Sequence, residues 1–228
     1  QTGPTPIVRG GPEALIARGD ALYGLGRFDD VLEHYLQAAQ LVSDPYEPMI
    51  KAGIARTALR QYPQALALLD QAVALRPADH LAYHRRAPMR LVTGDFQGGW
   101  RDYEYRWADD LFRASSAAMV SPQVRQHLNL RLSVDDVRGQ RVLLVGEQGI
   151  GDQVMFASMI PDLAKAAASV TCVCDERLVR LFSSSFPGAS FAGPLSANLS
   201  RSAFDRVVAM GSLGHIFRNR VEDFPGAA

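Results

Sequence analysis

Between residues 12 and 107, apolar positions recur three and four apart, in blocks broken by short polar or glycine-bearing stretches. That spacing lines one face of a helix. It predicts helices over 12–25, 29–42, 46–59, 62–75, 80–92 and 96–107. Gly26-Arg27, Arg60-Gln61 and Gly94-Asp95 are the expected turns within helix pairs, and Pro45 and Pro77 fall near the turns between pairs. Pro88 lies inside the fifth helix, where it removes one hydrogen bond and should bend the axis. The pattern changes at residue 141. Val142–Val145 is a continuous apolar run, as in a strand buried on both faces. Further strands are expected at Ser169–Cys174 and Phe204–Met210, with a helix over Glu176–Ser184 and a turn at Phe186-Pro-Gly188. Residues 1–11 read as an irregular lead-in, and the weakly periodic stretch 109–140 as an interdomain connector.

The helical part repeats itself with a 34-residue period. Aligning 12–45, 46–79 and 80–108 superposes Gly19, Gly53 and Ala87, and likewise Phe28, Tyr62 and Phe96. Val31 matches Ala65, and Ala38 matches Ala72. Small residues at fixed positions let antiparallel helices approach closely, and this period is that of the tetratricopeptide (TPR) helical hairpin. The fold class expected is α + α/β. A TPR solenoid over 12–108 is followed, after the connector, by a Rossmann-like parallel α/β partial domain over 141–228.

A 47% hydrophobic and 21% charged composition over 228 residues is that of an ordinary globular protein of one or two domains. Lysine plus arginine equal aspartate plus glutamate, so bulk charge gives no drive toward nucleic acid. No apolar run reaches the ~20 residues of a membrane span. The chain begins at Gln1 without a basic-then-apolar leader, so it reads as a fragment or a trimmed chain. Cys172 and Cys174 would share one face of a strand, too far apart for easy bridging and without the spacer of a metal or redox pair. Reduced buried thiols, and with them a cytoplasmic location, are expected. The histidines form no metal spacing.

The candidate chemistry lies after the first strand. Gly146, Gly149 and Gly151 make a tight turn, and Asp152 is a good N-cap for the helix that follows. On that helix Val154, Met155, Ser158, Met159 and Leu163 fall at helical spacing. The turn lacks the third glycine of a dinucleotide fingerprint, and a carboxylate at 152 repels a pyrophosphate. A P-loop is excluded because no Gly-Lys-Ser/Thr follows. Two readings remain open: a capped structural turn, or a turn that presents Asp152 into a cleft as a base. Glu147, Gln148, Gly149, Gly151, Asp152, Asp175, Ser212 and His215 all follow strand ends and should share one rim.

Leu143-Leu-Val-Gly-Glu-Gln-Gly-Ile-Gly-Asp-Gln-Val-Met-Phe156 resembles the GEQGLGD…F segment of bacterial TPR-containing glycosyltransferases. Upstream, Gly94-Asp-Phe-Gln-Gly-Gly-Trp-Arg-Asp-Tyr-Glu-Tyr-Arg-Trp107 resembles their GW–YEWRW block. The 210–217 segment resembles their SLP loop, with Gly214 where proline is usual. The resemblance covers residues 12 to 217 and implies a GT-B enzyme of two facing Rossmann-like domains. In related heptosyltransferases the aspartate at the position of Asp152 is the proposed general base. The resemblance therefore implies Asp152 as catalytic, with Gln148, Gly149, Gly151, Ser212 and His215 toward substrate. It further implies a nucleotide-sugar donor for the complete enzyme, no cofactor held by this chain, and no turnover by this chain alone.

By repeat position, the inner helices should line a groove with Ile16, Asp20, Tyr23, Ile50, Ile54 and His84, beside Glu13, Glu47, Thr57, Leu81, Pro88 and Leu91. Such a mixed apolar and acidic groove suits a peptide or protein partner and lacks the cations of a carboxylate clamp. Two functions are expected to compete: a glycosyltransferase piece that selects a protein acceptor through its groove, and a non-catalytic interaction module with a scaffold sheet.

Overall fold

The computed structural model describes residues 10–115, 124, 126–194 and 203–226. The lead-in up to residue 9 and connector residues 116–123 lie outside the described residues. The chain forms two compact units, Gln1–Gly94 and Asp95–Ala228.

The described residues of the first unit form five helices: α1 (Pro12–Gly24), α2 (Phe28–Leu41), α3 (Tyr46–Ala58), α4 (Tyr62–Leu75) and α5 (His80–Val92). Each packs on its neighbour in sequence, the nearest-neighbour arrangement of a solenoid. The repeat period is built into the packing. A Cβ on Gly19 would meet the Tyr35 ring at 2.4 Å, and one on Gly53 would meet Leu69 Cγ at 2.9 Å. Ala38, Ala65, Ala72 and Ala87 are fully buried, so the small residues aligned by the sequence are the close-approach points. The turns repeat as well. Gly26, Arg60 and Gly94, spaced by the same period, all take left-handed φ, of 74°, 58° and 91°. Pro88 sits within α5 without ending it.

The second unit begins with α6 (Phe96–Tyr103), continued by a 3-10 turn over Glu104–Ala108, so the expected sixth helix tightens before its end. The unit boundary thus falls inside the third sequence repeat, at Gly94, and not after residue 108. Among the described residues, the short helices α7 (Asp110–Ser115) and α8 (Val134–Val137) follow. The stretch read as a connector is in part built into this unit. Phe112 shares a core cluster with Trp107, and Leu128 bridges Val207.

The sheet has four parallel strands in the order β3-β2-β1-β4. They are β1 (Arg141–Val145), β2 (Ser169–Val173), β3 (Ser190–Ala192) and β4 (Arg206–Ala209). β1 is central, pairing Leu144 with Cys172 on one side and with Val208 on the other. Its last four residues are buried, as the apolar run required. Helices α9 (Ile150–Ala157), α10 (Ile160–Ala166) and α11 (Glu176–Ser185) lie between β1 and β3 in the chain, and α12 (Leu213–Phe217) follows β4. Pro161 cannot donate to a preceding carbonyl, and the chain breaks between α9 and α10 just before it. The helical face is met in part. Met159 and Leu163 enter the core as their spacing required, joined by Phe156, Ala157 and Ile160, while Val154, Met155 and Ser158 are exposed. Cys172 and Cys174 are buried free thiols.

Candidate functional site

Strand order reverses direction beside β1, where the chain returns as β4, and the carboxyl ends of these two strands form the crevice that ligands favour in such sheets. Here the crevice is occupied by the protein itself. Arg106, fully buried, reaches from the 3-10 turn after α6 into the space beyond β1 and β4. Its Nη2 donates to Glu147 Oε1 at 3.0 Å and to Ser212 Oγ at 3.0 Å, and its Nε donates to Glu147 Oε2 at 3.2 Å. Its Nη1 donates to Glu104 Oε1 at 2.9 Å and to the Tyr103 carbonyl at 3.1 Å. Glu147 Oε1 also accepts the Gly211 N–H at 2.7 Å, and Glu104 Oε2 accepts that of Arg131 at 3.1 Å. The guanidinium lies 4.5 Å from the Tyr103 ring centre.

One cation thus serves two buried carboxylates. For Arg106, burial disfavours the charge, but Glu147 and Glu104 outweigh it and hold the guanidinium charged. Burial pushes Glu147 above the ordinary carboxylate value despite Arg106. Glu104 faces the same burial, yet Arg106 and the Arg131 N–H hold it below that value. The two carboxylates differ in their partners: the Glu104 charge adds to burial at Glu147, whereas the Arg131 N–H and the Ser212 hydroxyl add to Arg106 at Glu104.

The rim residues named from sequence are placed as follows. Gln148 adopts a left-handed φ of 57°, and its Nε2 donates to Tyr103 Oη at 2.8 Å. Gly149 is the N-cap of α9, one turn earlier than expected, and Asp152 is the third helical residue. The Asp152 carboxylate accepts the Gly149 N–H at 3.2 Å. A glycine has no side chain to reciprocate, so this is half of a capping box. Asp152 is half-buried and Gly151 exposed at the surface of that turn. Ser212 is buried with its hydroxyl on Arg106, a structural contact rather than an open substrate contact. His215 is half-buried, its Nδ1 has no partner among the described residues, and burial holds its pKa below the ordinary value. Asp175 caps α11 by accepting the Arg177 N–H at 3.0 Å, and the Arg177 side chain and N–H together lower its pKa to about 2. Gly214 also has a reason: a Cβ there would meet the Trp100 ring at 2.5 Å. The 94–107 and 143–156 blocks interlock, through Arg106 and Glu147, Tyr103 and Gln148, and Trp100 and Phe156 at 6.3 Å, a pairing that their sequence alone does not reveal.

In the helical unit, Tyr23 is 37% exposed and Leu81 36%. Tyr23 stands edge-on to Phe28 at 5.1 Å. Asp20 is exposed and accepts Tyr35 Oη at 2.6 Å and Lys51 Nζ at 2.7 Å. Burial opposes its charge, but these two donors outweigh it and lower its pKa. Ile16, Ile54 and His84 are half-buried. Ile50 departs from its expected place. It is 4% exposed and belongs to the core with Leu69 and Ala72, because α3 turns this residue toward α4.

Among the described residues no His, Cys, Asp and Glu cluster is arranged to hold a metal ion, and no helix is long and apolar enough to cross a membrane.

The repeating hairpins with their small close-approach residues form a TPR-like helical solenoid, followed in the chain by a small parallel-sheet unit. The chain is 30% identical over 239 aligned positions to protein FlbA of Caulobacter vibrioides, covering 94% of this chain and 38% of that relative's length. No protein-family model matches it. Among solved structures it is similar to PcrH from Pseudomonas aeruginosa, at a TM-score of 0.42 and 23% identity over 45% of this chain and 81% of PcrH. It is also similar to the TPR2B domain of yeast Sti1 in complex with a pHsp70 ligand, at 0.42 and 16% over 50% and 90%.

Proposed function

We propose that this chain is a protein-interaction module whose inner helices α1, α3 and α5 hold a peptide segment of a partner protein. The observation that carries this reading is the 34-residue register itself. The packing residues Gly19, Gly53 and Ala87 fix how the helices stack, and that stacking leaves Tyr23 and Leu81 partly exposed on inner helices. Large apolar side chains held on a rigid array are suitable anchors for a docked segment. In this reading the sheet unit is a scaffold, which agrees with a strand crevice filled by Arg106 and Glu147.

A second reading is that the sheet unit is a Rossmann-like half of a GT-B glycosyltransferase, with Asp152 as base toward an acceptor hydroxyl. It is supported by the parallel β3-β2-β1-β4 order and by Asp152 lying in the first turn of α9, just after the glycine-bearing turn that follows β1. One panel separates the two in the protein as the gene encodes it. Under the interaction reading, Tyr23→Ala with Leu81→Ala weakens partner binding about ten-fold or more, the scale of lost hot-spot anchors. Asp152→Asn then leaves that binding unchanged. Under the second reading, Asp152→Asn removes sugar transfer by about 10²–10⁴-fold while the melting temperature holds.

A further inference from the structure

The second unit carries an open surface hollow of about 390 Å3 away from the strand-end rim, lined by α8 and the residue after it, α10, the end of α12 and the chain that follows. Its elements lead into the amino ends of β1 and β2, so it is remote from Asp152 and Arg106. Val134, Ala166 and Phe217 supply an apolar floor that rests on the main core. Around this floor stand three cations, Arg138, Lys165 and Arg218, against two carboxylates, Asp162 and Asp223.

The cations differ in what already holds them. Arg218 is 5% exposed, and its Nη2 donates to Asp162 Oδ2 at 2.6 Å while its Nη1 donates to the Phe217 carbonyl at 2.8 Å. This pair fixes a guanidinium in the wall of the hollow. Arg138 bonds Asp135 at 2.9 Å, yet its side chain is 65% exposed. Lys165 is exposed and has no ion-pair partner among the described residues. Core packing requires neither Arg138 nor Lys165 at this mouth. The hollow is open to solvent, so it suits a small ligand held at one face, its apolar side on the floor and an anionic end toward the cationic edge.

We propose that this hollow binds a small organic anion, a carboxylate or phosphate ester with an apolar body about the size of one aromatic ring. The apolar body rests on Phe217 and Val134, and the anion meets Lys165 and Arg138 beside the fixed Arg218. The site is independent of the groove and of the rim, so it stands or falls apart from the proposed function.

The probes are phenyl phosphate, benzoate and inorganic phosphate, titrated into the isotope-labelled chain and followed by amide shifts near Ala166 and Phe217. Saturable binding of phenyl phosphate or benzoate is expected, and the tighter of the two identifies the anion. Inorganic phosphate should bind at least about ten-fold more weakly, because it buries no apolar surface. Lys165→Ala with Arg138→Ala should weaken the tighter probe about two- to ten-fold without lowering the melting temperature, since both side chains are exposed. Inorganic phosphate binding as tightly as phenyl phosphate would reduce the site to an adventitious ion only. Unsaturable shifts, or an affinity unchanged in the double variant, would overturn the proposal.

Discussion

Replacing Arg106 by methionine removes the one cation from a buried set that contains two carboxylates. Methionine fills comparable space, so the cavity contribution is small and the electrostatic one dominates. Glu147 and Glu104, at 0% and 3% exposure, lose four side-chain hydrogen bonds from the guanidinium between them. Breaking a buried pair by deleting one partner costs about 3–5 kcal/mol, and here two acceptors are stranded, so the upper part of that range is expected. Glu147→Gln should cost much less, about 1–2 kcal/mol. It retains an acceptor for the Gly211 N–H and leaves Arg106 paired with Glu104. The Arg106→Met penalty should also shrink as pH falls, because the stranded carboxylates then bind protons. Urea denaturation followed by tryptophan fluorescence is the assay. Both tryptophans, Trp100 and Trp107, lie in the second unit, so their emission reports that unit alone. A loss under about 1 kcal/mol for Arg106→Met, the scale of a solvated pair, would refute the reasoning. So would a Glu147→Gln loss as large as that of Arg106→Met.

Two further outcomes test other parts of the structure. Arg60 takes a φ of 58° where its repeat counterparts are Gly26 and Gly94. The left-handed conformation costs a non-glycine residue ~1–2 kcal/mol and glycine brings an entropic loss of ~0.5–1 kcal/mol, so Arg60→Gly should be neutral or stabilise by about 1 kcal/mol, read from the helical circular-dichroism melt. Asp205 is held to about 2, against its ordinary 3.8, by the Arg141 side chain and N–H. A depressed carboxylate contributes stability above its unfolded value that is lost as pH falls through its folded one. The stability difference between the natural chain and Asp205→Asn should therefore shrink from pH 3.8 down to about pH 2, and a difference that stays constant would deny the pair its role.

The helical unit was legible because its information is local and repeated. Period, small residues and turn positions all recur, and five helices start and stop within about two residues of their expected ends. β1 was legible from its apolar run. β3 was not expected, because Ser190–Ala192 is three residues long, at the sheet edge and never fully buried. The face of α9 was misjudged for a similar reason. Val154 and Met155 look like core residues, and only the tertiary packing of Phe156 and Ala157 decides otherwise. The filled crevice was hidden more deeply. Arg106 meets Glu147 and Ser212 across 41 and 106 residues, and charged side chains give no sequence signal of burial. The glycine turn was recognised, yet its N-cap is Gly149 and not Asp152, since the helix begins at Ile150.

Docking of a partner on α1, α3 and α5 can be read out with a photo-reactive phenylalanine analogue placed singly at Tyr23, Leu81, Gln71 and Met155. Tyr23 and Leu81 lie on inner helices α1 and α5, Gln71 is exposed on outer helix α4, and Met155 is 56% exposed on α9. Illumination should join the same partner to positions 23 and 81 and not to position 71. Adducts at 71 as abundant as at 23 and 81, or adducts confined to 155, would contradict it.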